Sequence, residues 1–401
     1  MIILSIETSC DESGISVMEM YGSFSTRGGS ALSGKILADN VASQINIHRQ
    51  YGGVFPMMAK REHSKNLIPL LKKTLKESGF LKSKFKNQNI KFQSQIKKLS
   101  KILEREPELL EQFLKFIPTI QKPKIDAIAV TYGPGLEPAL WVGLNFAKAL
   151  SLVWSANRRI PIIPVNHMEG HILSALKKGG KEFSIPNSQF PMIALLISGG
   201  HTELVLIKKW MDYKIIGETR DDAVGEAFDK VARMLKLPYP GGPQISKLAL
   251  EVKSQKLEAD FKLPRPMINS DNFDFSFSGL KTAVLYLVQK LGKLTYEMKV
   301  AIAKEFQNAV TDVLVTKTMK AVKKYKIKTI LVGGGVSANE QIRKTITREA
   351  KKENINIYFP EKELSVDNSV MIGLAGYFRY ISKSKNPKPH TLKACGNLRL
   401  K

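Results

Sequence analysis

Short apolar runs separated by tight polar turns recur along this chain in a repeated order. Residues 2–6 read as a strand, 7–14 as an acidic turn and 15–18 as a second strand. The same unit returns at 192–207, where an apolar strand over 192–197 meets the turn Ser198-Gly199-Gly200-His201-Thr202-Glu203 and a strand over 204–207 follows. A second pair matches in outline: residues 125–130 end in Thr131-Tyr132-Gly133-Pro134-Gly135, residues 329–332 end in Gly333-Gly334-Gly335, and both lead into helix-like segments. Two similar halves predict a duplicated α/β unit with a cleft between the lobes. Gly-rich turns directly after strands can bring backbone N–H groups close to phosphate oxygens, although many strands end this way for steric reasons alone.

Between these units, residues 43–79 read as mainly helical after the turn Tyr51-Gly52-Gly53. Residues 81–122 break the rhythm. Seven lysines and no acidic residue lie from Lys82 to Lys101, and an acidic, Leu-rich stretch over 104–116 has helical spacing. This segment is expected to be an insertion, mobile or weakly helical, that projects from the first lobe. Residues 179–191 read as a loop between lobes. A helix opening at Gly225 stops near Pro238-Tyr239-Pro240-Gly241-Gly242-Pro243. The Lys-rich tail from Ser382 is expected to fray.

At 401 residues the chain is long enough for two lobes. Its 62 Lys and Arg against 36 acidic residues give a net charge of +26. Such an excess attracts a polyanion, with nucleic acid the natural candidate, though a Lys-heavy solubilising surface has the same composition. No apolar run reaches the ~18 residues of a membrane span. The N-terminus has no basic region ahead of its apolar stretch and reads as a strand rather than a signal peptide. Two cysteines, Cys10 and Cys395, offer no disulfide framework and suit a reducing cytoplasm.

Candidate chemistry concentrates at Asn166-His167-Met168-Glu169-Gly170-His171, just after the extended run 160–165. If this run opens a helix, His167 and His171 share one face and can point at one ion. Glu169 then falls about 200° round from His167, which argues against it as a third ligand. Two surface histidines at a helix start are the competing reading. The spacing is also distinct from H-E-x-x-H, in which Glu directly follows the first His.

The motifs resemble one family closely, the tRNA threonylcarbamoyladenosine transferases in their bacterial and organellar branch (TsaD). The resemblance is carried by Ile6-Glu7-Thr8-Ser9-Cys10-Asp11-Glu12, Gly133-Pro134-Gly135-Leu136, His167-Met168-Glu169-Gly170-His171 and Ser198-Gly199-Gly200-His201-Thr202. It continues through Asp221-Asp222-Ala223, Gly225-Glu226-Ala227-Phe228-Asp229-Lys230, Tyr239-Pro240-Gly241-Gly242-Pro243, residues 273–281, Gly334-Gly335-Val336-Ser337-Ala338-Asn339 and Asp367-Asn368. It covers nearly the whole chain except 81–122 and the extreme tail. One departure is Asn166, which stands where bacterial relatives usually carry another His; another is Met57, at the position of a familiar Glu.

The resemblance implies a duplicated ribonuclease-H-like fold of the actin, Hsp70 and sugar-kinase superfold, with an interlobe cleft. Residues 1–160 would form an N-terminal lobe carrying the insertion and completed by a helix over 368–385. Residues 161–191 would hold the metal-motif helix and the connection, and 192–367 a C-terminal lobe. The implied reaction moves the threonylcarbamoyl group from threonylcarbamoyl-adenylate to the N6 amine of the adenosine 3′ to the anticodon, in tRNAs reading codons that begin with A, and releases AMP. Carried over residue by residue, the ligands of one divalent metal would be His167, His171 and Asp367, with Fe2+ favoured over zinc. Leu196, Ile197, Ser198, Gly199 and Gly200 would form the substrate turn. Asp229 and Gly242 would hold the nucleoside end of an adenine nucleotide or adenylate, and Asn339 would contact it from the far wall. Asp11 and Glu12 are candidate catalytic residues. Implied partners are tRNA, a paralogous scaffold subunit and a small ATPase, in the cytoplasm and with no membrane. The alternatives are a metallopeptidase, against which the missing H-E-x-x-H geometry argues, and a non-catalytic ATP-binding scaffold of the same superfold, which would be expected to have lost the metal ligands.

Overall fold

A computed structural model describes residues 1–22, 32–83, 90–155, 160–186, 189–251, 261–382 and 391–401. The chain divides into two compact units, one of residues 1–46, 54–187 and 367–400, the other of 47–53, 188–366 and 401. The elements run β1 (Ile2–Glu7), β2 (Glu12–Tyr21), β3 (Leu32–Ser43), α1 (Ile45–Arg49), α2 (Pro56–Glu77), α3 (Ile90–Gln93), α4 (Ile96–Ile102), α5 (Pro107–Phe116), β4 (Ala127–Gly133), α6 (Glu137–Trp154), β5 (Ile162–Asn166), α7 (His167–Ser174) and β6 (Glu182–Ile185). They continue with β7 (Met192–Ile197), β8 (Thr202–Lys209), β9 (Asp212–Glu218), α8 (Val224–Met234), α9 (Gly241–Leu250), α10 (Ser278–Leu291), α11 (Tyr296–Tyr325), β10 (Thr329–Gly333), α12 (Glu340–Lys352), β11 (Asn356–Tyr358) and α13 (Ser369–Ile381).

The first sheet has the order β5-β4-β1-β2-β3-β6 and the second β11-β10-β7-β8-β9. In each, the first strand pairs antiparallel with the second and parallel with the fourth; the second pairs antiparallel with the third, and the fourth parallel with the fifth. The two sheets therefore share one mixed topology, apart from β6 at the edge of the first. The duplicated α/β architecture expected from the repeated hairpins is observed, and its mixed topology is that of the ribonuclease-H-like fold the resemblance implies. β5 is an edge strand, which is why it tolerates Pro164. The first unit buries Leu4, Ile6, Val130 and Phe146 between sheet and helices; the second buries Leu195, Phe228, Phe306 and Val332.

Three readings of the sequence need correction. Residues 81–122 do not project as a mobile appendage. Phe92, Leu99, Leu103, Leu109, Phe113 and Ile117 are buried in the core of the first unit, and Phe113 packs edge-on against Phe146 at 6.2 Å. Buried Glu106 accepts from Asn145 at 3.2 Å and lies 3.7 Å from the Lys60 ammonium. The lysines were misleading because they occupy the other face: Lys97, Lys98 and Lys101 are exposed on α4, while Lys84, Lys86 and the Lys91 side chain lie outside the described residues. Second, the loop read at 179–191 contains β6, which pairs with β3.

Third, the tail does not fray throughout. Residues 383–390 lie outside the described residues, but 391–401 pack against the turn after β4. Cys395 N–H donates to the Tyr132 carbonyl at 2.8 Å, Gly135 N–H donates to the Gly396 carbonyl at 3.0 Å, and the Lys148 ammonium donates to the Leu392 carbonyl at 2.9 Å. Leu392 and Leu400 are buried. Deleting 391–401 should lower the melting temperature, since each buried leucine contributes about 1.5–3 kcal/mol. A thermal melt of the truncated protein identical to that of the full chain would show the tail to be dispensable.

A buried His-His-Asp cluster

α7 begins at His167, directly after β5, because Asn166 caps it: the Asn166 Oδ1 accepts from Met168 N–H at 2.9 Å. This gives Asn166 a local structural role at the position where it departs from the family pattern. Every residue of α7 is buried. A Cβ on Gly170 would lie 3.0 Å from Met371 Cγ, so glycine permits the close approach of α7 to α13.

The four-residue spacing puts the two imidazoles together, with ring centroids 4.6 Å apart and planes at 87°. Their Nε2 atoms are 3.1 Å apart, and Asp367 Oδ1 lies 3.2 Å from each. Asp367 precedes α13, whose start is fixed by Asn368 Oδ1 accepting from Met371 N–H at 2.9 Å. Donors bound about 2.1 Å from a tetrahedral ion would lie about 3.4 Å apart, close to the observed spacings. Two imidazole nitrogens and a carboxylate oxygen meeting on one point fit a divalent cation: without a proton or an ion between them, lone pairs would face lone pairs.

Glu7, at the end of β1, supports the cluster. His167 Nδ1 lies 3.2 Å from Glu7 Oε2 and 3.1 Å from Ser9 Oγ, while Glu7 also accepts from Ser9 N–H and Thr131 Oγ1, both at 2.5 Å. A carboxylate accepting from Nδ1–H sets the tautomer that leaves Nε2 free to bind an ion. His171 has no such support, and its buried Nδ1 has no hydrogen-bond partner among the described residues. Glu169 points elsewhere, as the helical geometry required: both of its oxygens accept from the Arg379 guanidinium of α13 at 2.6 Å.

The electrostatics of the cluster follow from its packing. Burial disfavours a charged His167, but the Asp367 and Glu7 carboxylates outweigh it and hold the imidazole well above its ordinary pKa. Burial dominates at His171 and lowers it. Burial opposes ionisation of Asp367 too, yet the two histidines hold its carboxyl below the usual range. On the adjoining turn, burial and then the Asp11 and Asp367 carboxylates push Glu12 up to about 10.

The remaining candidates lie in the second unit. Leu196 and Ile197 end β7, and Ser198, Gly199 and Gly200 form its turn into β8, with the Ser198 and His201 backbones bonded at 2.9 Å. Gly225, at the start of α8, packs on this turn: its Cβ would lie 2.6 Å from the Ser198 carbonyl oxygen. Gly334 has φ +89°, and a Cβ there would meet the Ile197 carbonyl oxygen at 2.5 Å, so the turn after β10 closes on the same point. Asp229 Oδ1 accepts from Gly241 N–H at 2.6 Å, which holds the start of α9 and Gly242 beside it. Asn339 caps α12, accepting from Gln341 and Ile342 N–H at 3.0 and 3.1 Å, and donates to Ser246 and Gln307 at 2.8 Å. The acidic pair Asp221-Asp222 is structural: Asp221 accepts from residues 276–278, and Asp222 pairs with Lys230 and Lys281 at 2.8 Å.

Sequence reasoning gave no specific role to Glu7 or Arg379. The signal for Glu7 was a carboxylate ending an otherwise apolar strand; Arg379 had none, because its partner is distant in sequence.

Topology and cluster together define a duplicated α/β protein with a His-His-Asp group in its first unit that could hold a metal ion. The family described as TsaD: tRNA N6-adenosine threonylcarbamoyltransferase matches residues 35–86 and 101–374. The tRNA N6-adenosine threonylcarbamoyltransferase of Thermosipho africanus is 40% identical over 400 residues, covering 100% of both chains. That of Persephonella marina is 42% identical over 383 residues, covering 95% of this chain and 90% of the relative. The chain belongs to this family, and its activity is the transfer of threonylcarbamoyl to the adenosine 3′ to the anticodon of tRNA. The stretch between the two matched segments is 87–100, much narrower than the insertion read from the sequence. A crystal structure of full-length HypF aligns at 12% identity with a TM-score of 0.48, covering 70% of this chain and 43% of that one, and adds nothing to the topology above.

Proposed function

We propose that His167, His171 and Asp367 hold one divalent ion, Fe2+ in preference to zinc, and that this ion serves transfer from threonylcarbamoyl-adenylate to the N6 amine with release of AMP. The observation that carries this reading is the convergence of the Nε2 atoms of two buried histidines and the Oδ1 of a partly exposed Asp367 at 3.1–3.2 Å. When bound, the ion supplies Lewis-acid polarisation of a carbamoyl or carboxylate oxygen.

The protein's own groups do the rest. Glu7 and Ser9 orient His167. The adenine amine is a weak nucleophile because its lone pair is delocalised, so alignment with the activated carbonyl matters more than activation by a strong base. Residues 196–200, Asp229, Gly242 and Asn339 hold the adenylate. Asp229 supports this through its grip on the glycine pair at the start of α9, and Asn339 by fixing the start of α12.

Asp11 and Glu12 act from the turn after β1. Burial and the Asp11 and Asp367 carboxylates raise the Glu12 pKa, a divalent cation on Asp367 would oppose that rise, and the role assigned to Glu12 is hydrogen bonding at this turn, where its Oε1 accepts from Ser43 Oγ at 3.1 Å. Glu12→Gln, which keeps the side chain's shape and an acceptor oxygen, should therefore retain more activity than Glu12→Ala. Equal inactivation of both would show that the Glu12 charge itself is required. The reaction itself is tested with purified protein, adenylate, tRNA and Fe2+, reading the product nucleoside by mass spectrometry. The family further suggests a paralogous scaffold subunit and a small ATPase as partners. Free Cys10 and Cys395 suit a reducing cytoplasm, and among the described residues no helix is long and apolar enough to cross a membrane.

A further inference from the structure

The second unit carries a basic groove of about 580 Å³, lined by Arg343, Lys344, Thr347, Arg348, Lys351 and Phe359. No acidic residue lines it. The carboxylates of α12 are shared between cations: Glu340 pairs with Lys362 at 3.3 Å and Lys344 at 3.6 Å, and Glu349 with Lys352 at 2.9 Å and Arg348 at 3.0 Å. Arg343 is the fixed wall. Its guanidinium lies 4.8 Å from the centroid of the Phe359 ring and donates to the Ser337 and Pro360 carbonyls at 2.5 and 2.9 Å. Lys344, Arg348 and Lys351 are exposed at i, i+4 and i+7, so they share one helix face over about 10 Å.

We propose that this groove binds the phosphodiester backbone of the tRNA substrate, a role separate from the metal cluster. Three exposed cations in a row, two of them held only in solvent-exposed pairs of little strength, follow a continuous string of phosphates better than they cradle one. An open trough without converging acceptors is a poor site for a small neutral ligand. A cationic groove with an aromatic wall matches nucleic acid in both charge and surface. The lysines in this face also give part of the +26 excess a location. The inference rests on tRNA being the substrate, and the experiment separates the two.

The test is direct tRNA binding across a salt series, comparing the unaltered protein with Lys344→Ala/Arg348→Ala/Lys351→Ala. All three residues are exposed, and none shapes the core. Each phosphate contact contributes about 0.7–0.9 to the slope of log affinity against log salt. The triple variant should therefore bind at least tenfold more weakly at low salt, with a slope shallower by about 2 units. A second triple variant, Lys72→Ala/Lys73→Ala/Lys76→Ala on the exposed face of α2, removes the same charge elsewhere and should leave the slope nearly intact. An unchanged slope in the groove variant, or an equal loss in the α2 variant, would overturn the groove as a site. Failure of the unaltered protein to bind tRNA would overturn the groove and the substrate reading together.

Discussion

Replacing His171 with alanine should leave the purified protein without a stoichiometric divalent ion and reduce threonylcarbamoylation by about 10²–10⁴-fold. The first effect follows from geometry. Three donors 3.1–3.2 Å apart close the site, and removing one leaves a His and an Asp, too few for a buried ion to replace its hydration. The second follows because Lewis-acid polarisation is worth several kcal/mol, and each 1.36 kcal/mol is tenfold in rate. His171 is the better choice for this test than His167, whose ring also engages Glu7 and Ser9, so that its loss would disturb the end of β1 as well. The measurements are metal analysis of the purified variant and product nucleoside by mass spectrometry. Full metal content in His171→Ala would refute the ligand assignment even if activity fell.

Arg379→Ala should destabilise the first unit by about 3–5 kcal/mol, because it strands the Glu169 carboxylate inside α7 with no counter-charge. The pair is bidentate at 2.6 Å, and the Glu169 side chain is 3% exposed. Burial raises the Glu169 pKa from 4.5, with Arg379 opposing that rise. The native state thus holds this proton to a higher pH than the unfolded chain does, and stability is lost as pH rises above 4.5. Without Arg379 the rise is unopposed. The destabilisation should therefore be largest near neutral pH and smallest below pH 4.5, and Glu169→Gln in the same background should restore much of the loss. Thermal melts at the two pH values decide it; an identical shift at both would show that Arg379 acts through packing alone. Since the pair ties α7 to α13, the variant should also hold its metal more weakly.

How much of this was legible beforehand depended on how local each feature is. The His167/His171 pair could be read directly, because helix periodicity over four residues requires nothing beyond the helix. The hairpin repeats were equally legible: strand, tight turn and strand are set by alternation and glycine, and they reappear as β1-β2 and β7-β8. Asp367 entered only through the family resemblance, since no spacing rule links residues 200 positions apart in sequence. Packing alone brings it within 3.2 Å of both imidazoles.

Composition misled where two faces of one segment differ. The lysines of 81–122 suggested a solvated arm, yet Phe92, Leu99, Leu109 and Phe113 lie on the opposite face and are buried in the core. The amphipathic pattern was present, but it could not say whether a partner surface existed to cover it. The tail misled in the same way, because backbone bonds from Cys395 and Gly396 to the turn after β4 leave no trace in composition. The sequence by itself therefore determined the duplicated α/β design, the four-residue spacing that brings His167 and His171 together and the polyanion-seeking charge, all of which arise from short-range periodicity or a simple sum. Only the tertiary structure decided that Glu7 orients His167, that Arg379 neutralises Glu169 and that the lysines and arginines of α12 line one groove. Those pairings join residues far apart in sequence or set by side-chain direction, and buried charges and unpaired donors select them only once the chain has closed.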